Sequence, residues 1–383
     1  MGLFQSFFLG GFECSTQVRA DGRRLDLLRT TEHDRFARQD YRALARHGVR
    51  SARDGLRWHL IERSPGSYDW DSFLPMLHAA EEAGTQVVWD LCHYGWPDGL
   101  DIWSDTFPER LARFAAAAAE LILRETGRAP LVCPVNEISF WAWAGGEVGR
   151  FGPNRTGEGG RLKRQLVRAA IAATRAVRAT APGARFICAE PLIHVDPGTH
   201  DDPGHRAGAR RHRESQFEAL DVLVGRSEPE LGGGPDCLDV VGLNFYPDNQ
   251  WYHGGGTIPM GHHAFRPLHE MLLEVWQRYR RPILLAETGA EGSGRASWLH
   301  YVSGEARAAM AAGVPVEGIC LYPILDYHGW DNDRLCATGL LSAADDRGQR
   351  RVHEPLAEEL KVQAARFQAL SARPSASRFD QAA

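Results

Sequence analysis

Short apolar runs alternate with longer stretches in which apolar positions recur every three or four residues, and this alternation persists along nearly the whole chain. Eight runs are rich in β-formers: Phe7–Phe12, Ser51–Trp58, Gln86–Cys92, Leu131–Val135, Arg185–Ala189, Leu238–Phe245, Pro282–Ala286 and Gly318–Pro323. Within them the apolar character is continuous, as in Gln86-Val87-Val88-Trp89 and Asp239-Val240-Val241-Gly242-Leu243. That pattern suits parallel strands buried on both faces, whereas a half-exposed strand would alternate.

Helical periodicity fills the gaps. Phe36, Tyr41 and Leu44 run up to Gly48, and Phe73, Leu74, Leu77 and Ala80 run up to Gly84, each glycine marking a stop. Thr106 and Glu109 are spaced as a capping box with Pro108 in the first turn, ahead of a helix ending at Gly127. Leu166, Val167, Ala170, Ile171 and Val177 form a further stripe, as do Leu268, Leu272, Val275, Trp276 and Tyr279. Trp298 opens a helix that stops near Gly313, a helix over Glu214–Val224 is expected, and a closing helix spans Pro355–Leu370. Eight strands alternating with helices predict an α/β protein, a (β/α)8 barrel.

Such a barrel takes about 250 residues, so the 383-residue chain has about 130 left for loops. The long segments follow strands: Tyr94–Thr106, Phe140–Gly160, Leu192–His212, Pro247–Phe265 and Tyr327–Arg351. Long βα loops lie at the face where barrel active sites are built. With no linker, repeat or low-complexity segment, residues 1–383 are expected to form one domain, with a tail from about Ser371 that frays.

Net charge is −5, so no basic surplus points to nucleic acid or an anionic membrane. Seven cysteines, an odd number with no CxxC pair, read as reduced thiols. Together with an N-terminus that lacks a basic segment and a cleavage signal, they predict a cytoplasmic protein. No apolar run approaches the ~20 residues of a membrane span. His200, His205 and His212 sit in a Gly/Asp/Arg-rich segment without metal-ligand spacing and are expected in a solvated loop. A phosphate-binding glycine loop is also absent.

Candidate chemistry is then read from the strand ends. These carry Arg53, His93, Asn136-Glu137, Glu190, Asn244-Phe245-Tyr246, Glu287, and Tyr322 with Asp326. Glu137 and Glu287 each close an apolar run, a costly place for a carboxylate without a partner or a task. They come from the fourth and seventh strands, across the barrel mouth from one another. Two opposed carboxyls are what glycoside hydrolysis needs, one to protonate the leaving oxygen and one to attack the anomeric carbon. Either Glu also fits the simpler role of salt-bridge member. Trp58, Trp89, Trp96, Trp141, Trp143, Trp251, Trp298 and Trp330 offer flat faces for sugar rings, though core packing is the commoner use of tryptophan.

At this point the chain resembles the clan A retaining glycoside hydrolases, and most of all glycoside hydrolase family 1, the β-glucosidases and their relatives. Six pieces carry the resemblance in order: Phe8-Leu9-Gly10-Gly11-Phe12-Glu13-Cys14-Ser15-Thr16-Gln17, Ser51-Ala52-Arg53, Leu91-Cys92-His93-Tyr94, Val135-Asn136-Glu137, Leu243-Asn244-Phe245-Tyr246 and Leu285-Ala286-Glu287-Thr288-Gly289. They cover about residues 8–340. The family pattern has Pro where this chain has Ile138, and Asn where it has Thr288. Its Glu-Trp pair after the last strand is replaced by Asp326-Tyr327-His328-Gly329-Trp330.

The resemblance implies a retaining β-glycoside hydrolase that works through a covalent glycosyl-enzyme. Glu137 would be the acid/base and Glu287 the nucleophile. Arg53 and Tyr246 would flank Glu287 and hold its pKa down, while the charge of Glu287 raises that of Glu137. Asn136 would hold the 2-hydroxyl, Gln17 and His93 would bind the glycon, Asn244 belongs to the sixth-strand motif, and Trp330 would stack on the sugar. No metal or organic cofactor is implied. The expected partner is a small or oligomeric β-glycoside, with neither nucleic acid nor membrane. Two further readings stay open: a transglycosidase using the same glutamates, and an inactive sugar-binding barrel.

Overall fold

The computed structural model describes residues 2–371. Eight parallel strands close on themselves: β1 (Phe8–Gly11), β2 (Ser51–Gly55), β3 (Gln86–Asp90), β4 (Leu131–Cys133), β5 (Arg185–Pro191), β6 (Val240–Asn244), β7 (Ile283–Thr288) and β8 (Val316–Leu321). Each pairs with its neighbours in sequence, and β8 returns to β1 through the register Phe8↔Ile319, Leu9↔Cys320 and Gly10↔Leu321. The protein is a (β/α)8 barrel, as the alternation predicts.

The helices that alternate with the strands are α1 (His33–Arg46), α2 (Leu74–Ala83), α3 (Thr106–Thr126), α4 (Gly159–Thr180), α5 (Glu218–Leu223), α6 (Leu268–Tyr279), α7 (Arg295–Ala311) and α8 (Glu354–Ser371), and shorter or additional helices lie in the loops. Gly84 and Gly127 end α2 and α3 in the left-handed conformation, at φ 64° and 68°. Ser371 closes α8, and the rest of the tail expected to fray lies outside the described residues.

Burial on both strand faces follows from two layers of packing. Inside the barrel, Leu9, Val88, Ile187, Val240, Leu284 and Cys320 meet across the axis. Outside it, the larger cluster joins strands to helices, with Trp58, Trp70 and Phe114 stacked between α3 and the segment after β2. Gly11 is fixed by the inner layer: a Cβ there would lie 2.0 Å from the ring of Tyr322.

Three local expectations are corrected. The Thr106/Glu109 capping box does not form, because the chain is already helical at Asp105 and the N-terminus of α3 has no side-chain cap. Asp105 instead receives Arg168 of α4 at 2.9 Å. The expected helix over Glu214–Val224 is a 3₁₀ turn, Ser215–Phe217, running into α5. The loop holding His200, His205 and His212 contains a further helix, Pro203–Glu214. Asp202 starts it by accepting the backbone N–H groups of Gly204 and His205, with Pro203 in the first turn. Among the described residues no helix is long and apolar enough to cross a membrane.

Candidate active site

The strand C-termini open into a cavity of about 1120 Å³, just above the ~300–1,000 Å³ usual for ligand sites. Its inner end is lined by Glu13, His93, Tyr94, Glu137, Tyr246 and Glu287. Outward the walls include Trp143, Trp251 and Trp330. Of the other tryptophans, Trp58, Trp89, Trp141 and Trp298 are core residues, and Trp96 packs partly buried against that core.

Glu287 reaches the cavity through an irregularity of β7. Pairing with β6 runs Leu243↔Leu285 and then Asn244↔Glu287, and pairing with β8 slips over the same stretch. The extra residue, a β-bulge, sets Glu287 beside Asn244. Its carboxylate accepts Arg53 Nη1 at 2.6 Å and the Tyr246 hydroxyl at 2.9 Å.

Arg53 is 1% exposed and every donor it offers here is engaged. Nε and Nη2 grip Asp90 at 3.0 and 2.7 Å, Nη1 also reaches the Ala286 carbonyl, and Nη2 donates to the Asn136 amide oxygen. That last bond fixes Asn136, so its Nδ2 donates to His93 Nε2 at 2.9 Å. His93 is then the tautomer whose Nδ1–H points to Asp90, 2.9 Å away. Arg53, Asn136 and Asn244 are not cavity-lining; they lie beneath it and orient what does.

Glu137 follows β4 with a left-handed backbone, φ 44°, and starts the short helix Ile138–Trp141. Its carboxyl takes a short hydrogen bond from the Tyr94 hydroxyl. Asn244 faces the same carboxyl and lowers its pKa, yet neither of its amide atoms reaches hydrogen-bond geometry. Glu190, at the end of β5, buttresses the helix by accepting the Ser139 N–H at 3.0 Å. The Ile138 N–H also stabilises Glu190, and a proline at that position would have no such donor. Past the short helix the chain makes a six-residue π-turn, Ala142–Glu147, which carries Trp143 into the cavity wall.

Both carboxyls titrate above the ordinary glutamate range. Burial is the main cause for each, and their mutual repulsion raises Glu287 further. Arg53 and Tyr246 oppose the rise at Glu287 without overcoming it, leaving it near about 7. The expected depression at Glu287 therefore does not occur. The physical reason is burial, which with the repulsion from Glu137 outweighs the Arg53 charge, and Arg53 is itself shared with Asp90. As a result, Asp90 is the carboxyl held below its usual range.

Trp330 lines the cavity edge-on to Tyr94 with ring centroids 5.6 Å apart, and its indole N–H is buried without a partner. Gln17 is elsewhere. Its side chain is buried, the amide oxygen has no partner, and the residue does not line the cavity. A hairpin opens just after it at Val18, and Glu13 of the same segment lines the inner wall. The two departures from the family pattern near Glu287 and after β8 are also accounted for. Thr288 links the Phe245 carbonyl to the Trp298 indole, and Asp326 receives the Gly339 N–H, away from the cavity.

The reading of the strand ends includes Glu190 but misses Glu13, Asp90 and Tyr94. Asp90 is a carboxylate inside the apolar run Gln86–Cys92, as costly a placement as that of the two glutamates, and Tyr94 lies beside His93. Cys14, Asp90 and His93 bring donor atoms within 4.8 Å of each other, the one such group among the described residues. Both Asp90 oxygens already serve Arg53, and burial pushes the Cys14 thiol far up, so the group reads as a hydrogen-bonded floor.

Neither a family model nor a curated protein sequence matches the chain. Solved structures do. The family 1 β-glucosidase from Thermotoga maritima superposes with a TM-score of 0.76 at 16% identity, over 94% of this chain and 98% of that one. The same organism's β-glucosidase in complex with deoxynojirimycin, and in complex with castanospermine, gives TM-scores of 0.74 at the same identity and coverage. The barrel is thus that of a known fold.

Proposed function

We propose that this protein is a retaining β-glycoside hydrolase in which Glu287 is the nucleophile and Glu137 the acid/base. The observation that carries the reading is the unequal environment of two carboxyls facing one cavity. Glu287 accepts from a guanidinium and a phenol, donors that favour a carboxylate, while Glu137 is hydrogen-bonded only by the phenol of Tyr94. In a pair that shares one proton, the proton belongs on Glu137.

In the first step a Glu287 oxygen bonds to the anomeric carbon as the glycosidic C–O bond breaks, and Glu137 gives its proton to the departing oxygen. In the second, Glu137 takes a proton from water, the water oxygen bonds to the anomeric carbon, and Glu287 is released as carboxylate. Arg53 holds Glu287 in line. Through Asn136 and His93 the same guanidinium is tied to the wall that meets the sugar hydroxyls. Trp330 supplies a ring face and a free N–H donor at the cavity edge. The Thermotoga maritima proteins of this fold, named β-glucosidases and bound to sugar-like molecules, support the same reading.

Chemical rescue tests the assignment. Glu287→Gly should abolish turnover of aryl β-glycosides, and azide should restore it by entering the vacated space, giving an α-glycosyl azide. A β-configured azide would mean that Glu287 is the acid/base instead.

A further inference from the structure

The inner end of the cavity holds a third carboxyl that the reaction above does not use. Glu13 follows β1, is 6% exposed, and lines the cavity beside His93 and Glu287. One of its oxygens accepts the Ser15 N–H at 3.1 Å, and Glu13 forms no ion pair among the described residues. It sits on the β1–β3–β8 side, near His93, Tyr322 and Tyr327.

The cations lining this cavity are all committed elsewhere. Lys163 pairs with Glu218 at 2.5 Å, Arg150 with Asp331, and Arg334 with Glu291. His93 is bonded to Asp90 and Asn136, and His212 is kept neutral by burial against Trp251. Beneath the floor, Arg53 is divided between Asp90 and Glu287. A buried carboxylate without a cation is costly, and the raised pKa of Glu13 reflects that cost. Glu287 has a guanidinium and Glu137 carries the proton; Glu13 has only the nearby His93 ring, which lowers its pKa without pairing with it and does not overcome burial.

We infer that Glu13 is a specificity-determining residue and that the glycon it accepts is an aminohexose, whose ammonium pairs with the Glu13 carboxylate. This rests on the hydrolase reading above. A neutral hexose would leave the charge uncompensated, and an N-acetylated sugar would present it with a neutral amide. A charge-assisted contact formed out of water stabilises the cationic sugar at the one cavity carboxyl that no cation is paired with and that the proposed reaction does not use.

The test is a set of aryl β-glucosides and their 2-, 4- and 6-amino-deoxy counterparts, each amine also in N-acetyl form. At least one free amine should exceed both the glucoside and its own N-acetyl form in kcat/KM by about 10- to 100-fold. Glu13→Gln should bring that ratio to within about threefold of unity. The wild-type ratio alone is independent of whether the variant folds. A wild-type protein that favours the glucoside over every amine overturns the inference, as does a Gln variant that keeps the preference. If no glycoside of either series turns over, the hydrolase reading fails. Calorimetry with methyl β-glucoside and the methyl glycosides of the same free amines then decides Glu13 separately: tighter binding of an amine supports it, and equal or weaker binding of all of them contradicts it.

Discussion

At the residue scale, the shared proton of Glu137 and Glu287 sets the pH dependence. The competent form holds one proton, on Glu137. Lowering the pH protonates Glu287 and removes the nucleophile; raising it strips Glu137 and removes the acid. Since burial raises both groups, with Glu287 pushed up to about 7, the acidic limb of kcat/KM should lie well above the usual pKa of glutamate near 4.3. Asp90→Asn removes a negative charge and releases two Arg53 donors, both of which favour ionised Glu287, so the acidic limb should move to lower pH. A limb that stays in place would show that Asp90 does not govern the nucleophile. Glu137→Gln should cost about 10²- to 10⁴-fold with a poor leaving group and far less with an activated phenol. The two glutamates were legible because a carboxylate closing an apolar run is conspicuous. Whether the Gln17 side chain reaches the cavity is not legible from sequence order, which does not reveal which way a hairpin carries a side chain.

At the scale of elements, the strands were readable because continuous apolar runs have few alternatives in a chain with helical spacers. The bulge in β7 was not, since it is defined only by where Leu243, Leu285, Asn244 and Glu287 pair. The helix Pro203–Glu214 was hidden by composition: it buries only Ala209, so it has almost no apolar stripe and rests on the Asp202 cap. The opposite case is α3, whose stripe is long and deeply packed. Phe114 is wholly buried and stacked on Trp58, with centroids 5.4 Å apart. Phe114→Ala should lower stability by about 3–5 kcal/mol, measured by denaturant unfolding. A loss below about 1 kcal/mol would mean that α3 is not anchored through this stack.

At the scale of the whole molecule, the chain closes with a buried charge cluster whose residues do not line the cavity. His33 of α1 contacts Asp40 at 2.8 Å and Asp54 of β2 at 3.1 Å, while Arg350, more than three hundred residues away in sequence, grips Asp40 at 2.6 Å. These carboxylates raise His33 to about 9 in the folded state against its ordinary value near 6.5. Because the folded pKa is the higher one, the stabilisation is complete below about pH 6.5 and is lost as pH rises through about 9. The difference corresponds to about 3 kcal/mol. Unfolding free energy should therefore fall between pH 6.5 and 9.5, and His33→Gln should flatten that slope. An unchanged slope in the variant would assign the alkaline loss to other groups.

Turnover by the intact protein gives the most direct test of the central claim, that two displacements occur at one anomeric carbon through Glu287. An aryl β-glycoside that the protein accepts is mixed with it in an NMR tube, and the anomeric proton is followed in the first minutes, before mutarotation. The account predicts that the β-anomer of the free sugar appears first and the α-anomer grows in only as mutarotation proceeds. An α-anomer released first would mean a single displacement by water, and would contradict the covalent role of Glu287.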